Sequence, residues 1–252
     1  MNRHRARSAA PESQWLLDHM SDELTDRLTF MKLDIRRALV IGHGRMALGA
    51  ALPPGTEITC CDLVRGPDVD VVADEDRLPF EAGAFDLVVA CGMLDTVHDL
   101  PGALILMRRA LRPGGLFLGA MLGGGSLAGL RQLMQSVELE ASGVAAARFH
   151  PQIDVRSAGD LLFRAGFSMP VADQDSISVS YSTLERLLDD VRATGSTNAL
   201  PQIMPFSRSA HRLLYAKAGA IALLETFAPI YMTGWRPEAE EARPSGPVKG
   251  FL

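Results

Sequence analysis

Cysteine is scarce: the 252 residues hold three, Cys60, Cys61 and Cys91, all inside apolar segments. They form no spaced framework, which argues against a disulfide scaffold and for a reducing compartment of cytoplasmic type. An excess of positive charge is also missing, with 25 Lys+Arg against 30 Asp+Glu and a net charge of −5. A phosphate-backbone binder usually shows a basic face, so no nucleic-acid partner is expected. No apolar run approaches the roughly 18 residues that span a bilayer, and no integral membrane segment is expected. The amino terminus lacks the apolar core of a signal peptide. Its opening MNRHRARSAA, rich in arginine and free of acid, reads as a tail of bacterial type. A short organellar presequence is the alternative, with a matrix location in a eukaryote. None of the six histidines begins a His-x-Asp/Glu motif, so no facial-triad iron site is expected.

What is present is globular: 47% hydrophobic and 22% charged residues, in a length that one α/β domain can occupy. Residues 13–236 read as one elaborated domain between loose tails at 1–12 and 237–252. Trp15, Leu16, Met20, Leu24 and Leu28 recur at helical spacing, predicting a helix over 13–31 that packs on the sheet edge. Strands are predicted at 38–41, 58–61, 69–72, 85–91 and 116–121. A helix over 100–111 is stopped by Arg112-Pro113-Gly114-Gly115, where proline cannot continue it and glycine accepts a left-handed turn. Beyond strand five the pattern predicts helices at 126–140, 157–165, 183–193 and 208–226. A strand after Gly166-Phe167, another at 177–179 and a last one at 229–233 complete the prediction.

Glycine or acid stands where each early strand ends, and in an open parallel sheet those ends line the ligand crevice. Gly42 and Gly44 after strand one allow close backbone approach to a ligand, with His43 between them. Asp62, at the end of strand two, suits a carboxylate that accepts both ribose hydroxyls; its bland alternative is a turn cap. Asp74, after strand three, suits the exocyclic amine of an adenine, or is one member of a solvated acidic turn. Leu63, Glu75, Cys91 and Gly92 flank these positions as further cofactor-binding candidates. The order of strand endings points to an adenosine cofactor.

The stretch ADEDRLPFEAGAFDLVVACGML followed by RRALRPGGLFLGAM resembles the class I S-adenosylmethionine-dependent methyltransferases of type 11, across residues 36–121. WLLDHMSDELTDRL, DLLFRAGF, LLDDVRATGSTNAL and IYMTGW extend the resemblance to the assembly-factor methyltransferases of respiratory complex I and their α-proteobacterial relatives. It implies a Rossmann-like doubly wound sheet with helices on both faces and a helical substrate-side elaboration. It also implies S-adenosylmethionine as cofactor, and a protein or small-molecule acceptor, with a complex I subunit as one candidate. The reaction implied is methyl transfer, while relatives of the complex I group are associated with arginine hydroxylation. Ser126, Arg131, Tyr181 and Asn198 lie in matching segments and are implied to frame the acceptor; no catalytic residue is assigned.

The departures are specific. Where the family reads acidic-x-Gly-x-Gly-x-Gly, Val40 takes the acidic position and Met46 the third glycine. The acid is implied to orient the glycine loop and to influence the amino group of the methionine moiety. Asp95-Thr96 replace a His-Trp pair after strand four, and Gly125 replaces an acid after strand five. A non-catalytic descendant, kept as an assembly or binding protein, is therefore the main alternative. Two weaker readings are a nicotinamide oxidoreductase, through Gly42-x-Gly44-x-x-Ala47 with Asp62, and a hydrolase. The latter takes Gly124-Gly125-Ser126-Leu127-Ala128 as a nucleophile elbow with Asp154 and His211.

Overall fold

Short apolar strands buried on both faces need helices above and below them, and the computed structural model shows that arrangement. It describes residues 13–195 and 204–238; the expectations for 1–12, for Asn198 and for the tail beyond 238 lie outside the described residues. In chain order the elements are α1 (Trp15–Thr29), β1 (Arg37–Gly42), α2 (Arg45–Ala51), β2 (Glu57–Asp62), β3 (Val71–Val72), β4 (Phe85–Cys91), α3 (Leu100–Ala110) and β5 (Leu111–Leu122). There follow α4 (Ala128–Ser142), α5 (Val155–Ala165), β6 (Ser168–Gln174), β7 (Ile177–Tyr181), α6 (Leu184–Ala193), α7 (Arg208–Ala218), β8 (Leu223–Phe227) and β9 (Pro229–Trp235).

Seven strands form one sheet in the order β3-β2-β1-β4-β5-β9-β6, while β7 and β8 pair separately. β3, β2, β1, β4 and β5 are parallel, and β9 runs antiparallel to both β5 and β6. The six-strand order of dinucleotide-binding sheets, 3-2-1-4-5-6, has no such inserted antiparallel strand, so the topology departs from the oxidoreductase reading. Alternation along β4 divides the interior in two. Leu87, Val89 and Cys91 face a core shared with α1, α2, α4, α6 and α7, and Val88 and Ala90 face a second core with α3 and α5. Gly42 pairs with Cys91, Asp62 with Val72 and Cys91 with Ala120, which sets all three chemically interesting strand ends along one edge.

Four expectations are corrected. α1 lies on a face of the sheet, against β4 and β5, and not on its edge. Its stripe of Leu16, Met20, Leu24 and Leu28 is at most 4% exposed, and only a sheet face offers enough apolar area to cover it. β3 shrinks to Val71–Val72. α4 starts at Ala128 because Leu127 takes a left-handed conformation, φ 57°, and breaks the helix before it. The helix expected over 208–226 ends at Ala218, and Leu223–Phe227 form β8. There Leu223, Glu225 and Phe227 are buried in strand alternation, and pairing with β7 overrides the helical composition.

Candidate functional site

A cleft of about 540 Å³ opens over the carboxyl ends of β1, β2 and β4, roofed by α1. It brings together Gly42, His43, Gly44, Asp62, Cys91 and Gly92, six of the residues the sequence singled out. Leu63, Asp74 and Glu75 are not among its lining.

The glycine turn is as tight as its composition suggests. Gly42 has φ +84°, and a Cβ there would lie 2.4 Å from the Cys91 carbonyl oxygen. Gly44 has φ +114°, and its Cβ would meet the Ser21 hydroxyl at 2.8 Å. Both positions thus require glycine, for conformation and for space. The turn is tied down on two sides: His43 donates its backbone N–H to Cys91 at 3.1 Å, and its Nε2 stands 2.8 Å from the Asp18 carboxylate on α1. The next residue, Arg45, reaches away to Asp70 and the Asp68 carbonyl at 3.0 and 3.1 Å.

Asp62 is 5% exposed and reaches the cleft wall, while one carboxylate oxygen accepts the Val64 N–H at 2.9 Å. Turn cap and cleft-lining acid are therefore the same side chain in two capacities. Asp74 is exposed and caps a short 3-10 turn by accepting the Asp76 N–H at 3.0 Å. Glu75 is buried behind it, and Leu63 is exposed beside Asp62. Burial pushes the Cys91 thiol up to about 12, which keeps it protonated and unreactive; Cys60, also on the cleft wall, is shifted up by burial against the pull of Arg45.

Sequence reasoning missed the contribution of α1: Gln14, Leu17, Asp18, Ser21 and Asp22 line the cleft. The signal was available, since these positions follow the helical i, i+3, i+4, i+7 spacing. Of the two motif departures, Val40 is 1% exposed and belongs to the core, whereas Met46, 87% exposed, stands on the rim of the cleft. Neither side chain plugs the cleft.

The acceptor-side candidates are dispersed. Ser126 is fully buried, donates to the Gly123 carbonyl at 2.8 Å and accepts the Ala228 N–H at 3.0 Å. With both capacities spent on backbone it pins β5 to β9, and the nucleophile-elbow reading fails: Asp154 merely caps α5, and His211 stacks on Tyr215. Arg131 donates to Gln152 at 2.7 Å and lies over the Phe149 ring. Tyr181 donates to Asp190 at 2.9 Å, and the Trp15 indole donates to the same oxygen at 2.8 Å. Burial, then the Asp190 bond, pushes the Tyr181 phenol far up. These three residues border a second hollow of about 360 Å³. Its lining neighbours that of the first cleft at two points, Trp15 following Gln14 and the Asp190 carbonyl accepting the Thr194 N–H at 3.2 Å.

Residues 41–119 match the family described as "Methyltransferase domain". The arginine-hydroxylase NDUFAF5, mitochondrial, of Danio rerio is 31% identical over 252 residues, covering 90% of this chain and 78% of that protein. The malonyl-[acyl-carrier protein] O-methyltransferase of a Methylovorus strain is 30% identical over 182 residues, covering 70% of this chain and 60% of that protein. Among solved structures, phosphoethanolamine N-methyltransferase 2 of Haemonchus contortus, in complex with phosphomonomethylethanolamine and S-adenosylhomocysteine, superposes with a TM-score of 0.51 at 16% identity. The superposition covers 86% of this chain and 52% of that one. The adenosine cofactor of such proteins fits the residues present: a side-chain-free turn, an acid at the end of β2, and a buried Ser21 hydroxyl on the cleft wall that bonds to no protein atom. The chain belongs to the class I S-adenosylmethionine-dependent methyltransferases, in the family of the NDUFAF5 proteins, and S-adenosylmethionine is its cofactor.

Proposed function

We propose that the protein is a methyltransferase acting on a protein side chain during assembly of respiratory complex I. The observation that carries this reading is the convergence of the glycine turn, Asp62 and Cys91-Gly92 in one cleft roofed by α1. When bound, the cofactor supplies an electrophilic sulfonium methyl. Asp62 then accepts the ribose hydroxyls, worth on the order of 1.5–3 kcal/mol for a charge-assisted bond. Gly42 and Gly92 line the cleft where the cofactor would lie, and their missing side chains let the strand ends close on Cys91 and on Leu17 of α1. The cover given by α1 keeps water from the methyl group, and the acceptor nucleophile needs only in-line placement.

The acceptor enters, in this proposal, by the hollow between Trp15, Tyr181 and Asp190, whose lining neighbours that of the cleft. A small-molecule acceptor would use the same entrance. We place the protein in the cytoplasm, or in the matrix of a eukaryote. Its Danio rerio relative is mitochondrial, and among the described residues no helix is long and apolar enough to cross a membrane.

A second reading rests on that same relative's name, arginine-hydroxylase. Mass spectrometry of complex I subunits, from cells with and without this protein, separates the two. Methyl transfer adds the mass of a methylene and follows label from methyl-labelled S-adenosylmethionine, whereas hydroxylation adds an oxygen atom and carries no such label. An oxygen gain without methyl label would overturn the methyltransferase proposal. Unmodified subunits together with tight cofactor binding would favour the non-catalytic alternative.

A further inference from the structure

The cleft has lost the acid that the glycine motif normally carries, yet it does not lack acids. Val40 is 1% exposed in the core beneath the turn and offers the ligand no charge. The opposite wall does: Asp18, Ser21 and Asp22 share one stripe of α1 and line the cleft. The apolar packing of α1 is carried by Leu16, Met20, Leu24 and Leu28 from the neighbouring face, while Ser21 is buried against Gly44.

Two further observations mark this stripe as built for a ligand. Ser21 is 1% exposed, and its hydroxyl has no hydrogen-bond partner in the protein. A buried hydroxyl left unpaired costs roughly 1–3 kcal/mol, and a helical serine ordinarily avoids this by bonding to the carbonyl four residues back. Here it faces Gly44 instead, at a spacing that any Cβ on residue 44 would close. Asp18, for its part, is held beside the turn by the His43 ring at 2.8 Å.

We infer that α1, and not the end of β1, recognises the amino-acid end of the cofactor: Asp18 and Asp22 supply the counter-charge to its ammonium, and Ser21 supplies a hydroxyl partner. This rests on the cofactor assignment above. The ligand class is the α-amino-acid group of a sulfonium or thioether nucleoside. The motif departure at Val40 is then a relocation of the acid from strand to helix, and Gly44 is kept because Ser21 must reach past it.

The test compares two ligands sharing adenosine and sulfur, S-adenosylhomocysteine and 5′-methylthioadenosine; the second lacks the amino-acid group. The full chain, titrated calorimetrically, should bind the first at least about tenfold more tightly. Asp18→Asn should weaken S-adenosylhomocysteine by about tenfold, and Ser21→Ala by about threefold to tenfold. Both should leave 5′-methylthioadenosine within about twofold, which also shows that the variants are folded. Variants that keep the wild-type ratio between the ligands overturn the inference, as does a wild type that binds both alike. If Asp18→Asn weakens both ligands because its bond to His43 is lost, Ser21→Ala, which removes only an unpaired hydroxyl, decides by the same ratio. A wild type that binds neither ligand defeats the cofactor reading itself.

Discussion

Asp62, in residues 37–122, and the buried acids of residues 123–235 are comparably covered but are used differently. In the first half Asp62 ends a parallel strand and opens on a cleft. In the second half the acids are consumed by the scaffold. Glu138 and Arg148 form an ion pair with side chains only 8% and 9% exposed. Asp190 holds both Trp15 and Tyr181. Glu225, its carboxyl pushed up by burial against the backbone N–H groups of Leu130 and Gly129, sits at the start of α4, where Leu127 provides no side-chain cap. The difference teaches that a buried charge in this family is not by itself a sign of chemistry. The informative groups are those that line the cleft, at the strand ends and on the α1 stripe.

That contrast breaks most visibly at Arg148. Arg148→Ala leaves Glu138 buried without its counter-charge, and stability should fall by about 3–5 kcal/mol in a urea titration. The S-adenosylhomocysteine affinity of the folded protein should not change. A loss under about 1 kcal/mol would mean that Glu138 does not depend on this counter-charge. Gly42→Ala should act the other way. Strain at a positive φ and the approach to Cys91 cost about 2 kcal/mol of stability, and cofactor binding should vanish; an alanine variant that still binds would show the turn is not the ligand platform.

Asp62→Ala comes next, with cofactor binding weaker by about 1.5–3 kcal/mol and a loss of turn stability near 1 kcal/mol. Equal affinities in variant and wild type would reduce Asp62 to the turn cap it also is. Asp86 sharpens the comparison from the far edge of the sheet. Burial raises its carboxyl, but the N–H groups of Arg37 and Arg36 and the guanidinium of Arg112 outweigh burial and hold it below the ordinary value of 3.8. Its folded value is depressed, so its stabilisation is fully present above pH 3.8 and is lost as pH falls through the lower folded value. Asp86→Asn should therefore melt lower at neutral pH, by on the order of 1 kcal/mol, and the gap should close in acid. A gap that persists in acid would assign the effect to packing. The smallest effect belongs to Met46→Gly: the side chain is 87% exposed, and S-adenosylhomocysteine affinity should move by less than about 0.5 kcal/mol.

Legibility followed the same division. From β1 to β5 the strands are short apolar runs closed by glycine or acid, and their endings at Gly42, Asp62 and Cys91 are legible in the sequence as one sheet edge. Past β5 local composition misleads. Leu223 to Thr226 have helical content, but their partner β7 lies over forty residues earlier, and only that pairing makes them a strand. Ser126 lies in a glycine-rich segment that reads as a binding loop, and its two bonds to Gly123 and Ala228 depend on how β9 returns beside β5. Asp74 has the right residue type after the right strand, yet the chain turns there and uses it as a cap. The α1 stripe is illegible for a different reason: Asp18, Ser21 and Asp22 look like an ordinary polar face, and they mean something only once the helix is laid over the turn.

The central claim is that the cleft holds an adenosine cofactor at Asp62. The most direct measurement is a calorimetric titration of S-adenosylhomocysteine into wild type and Asp62→Ala, with NAD as control. The account predicts saturable binding to wild type, a loss of about 1.5–3 kcal/mol in the variant and no heat from NAD. Absence of S-adenosylhomocysteine binding to wild type, or identical binding to both proteins, would contradict it.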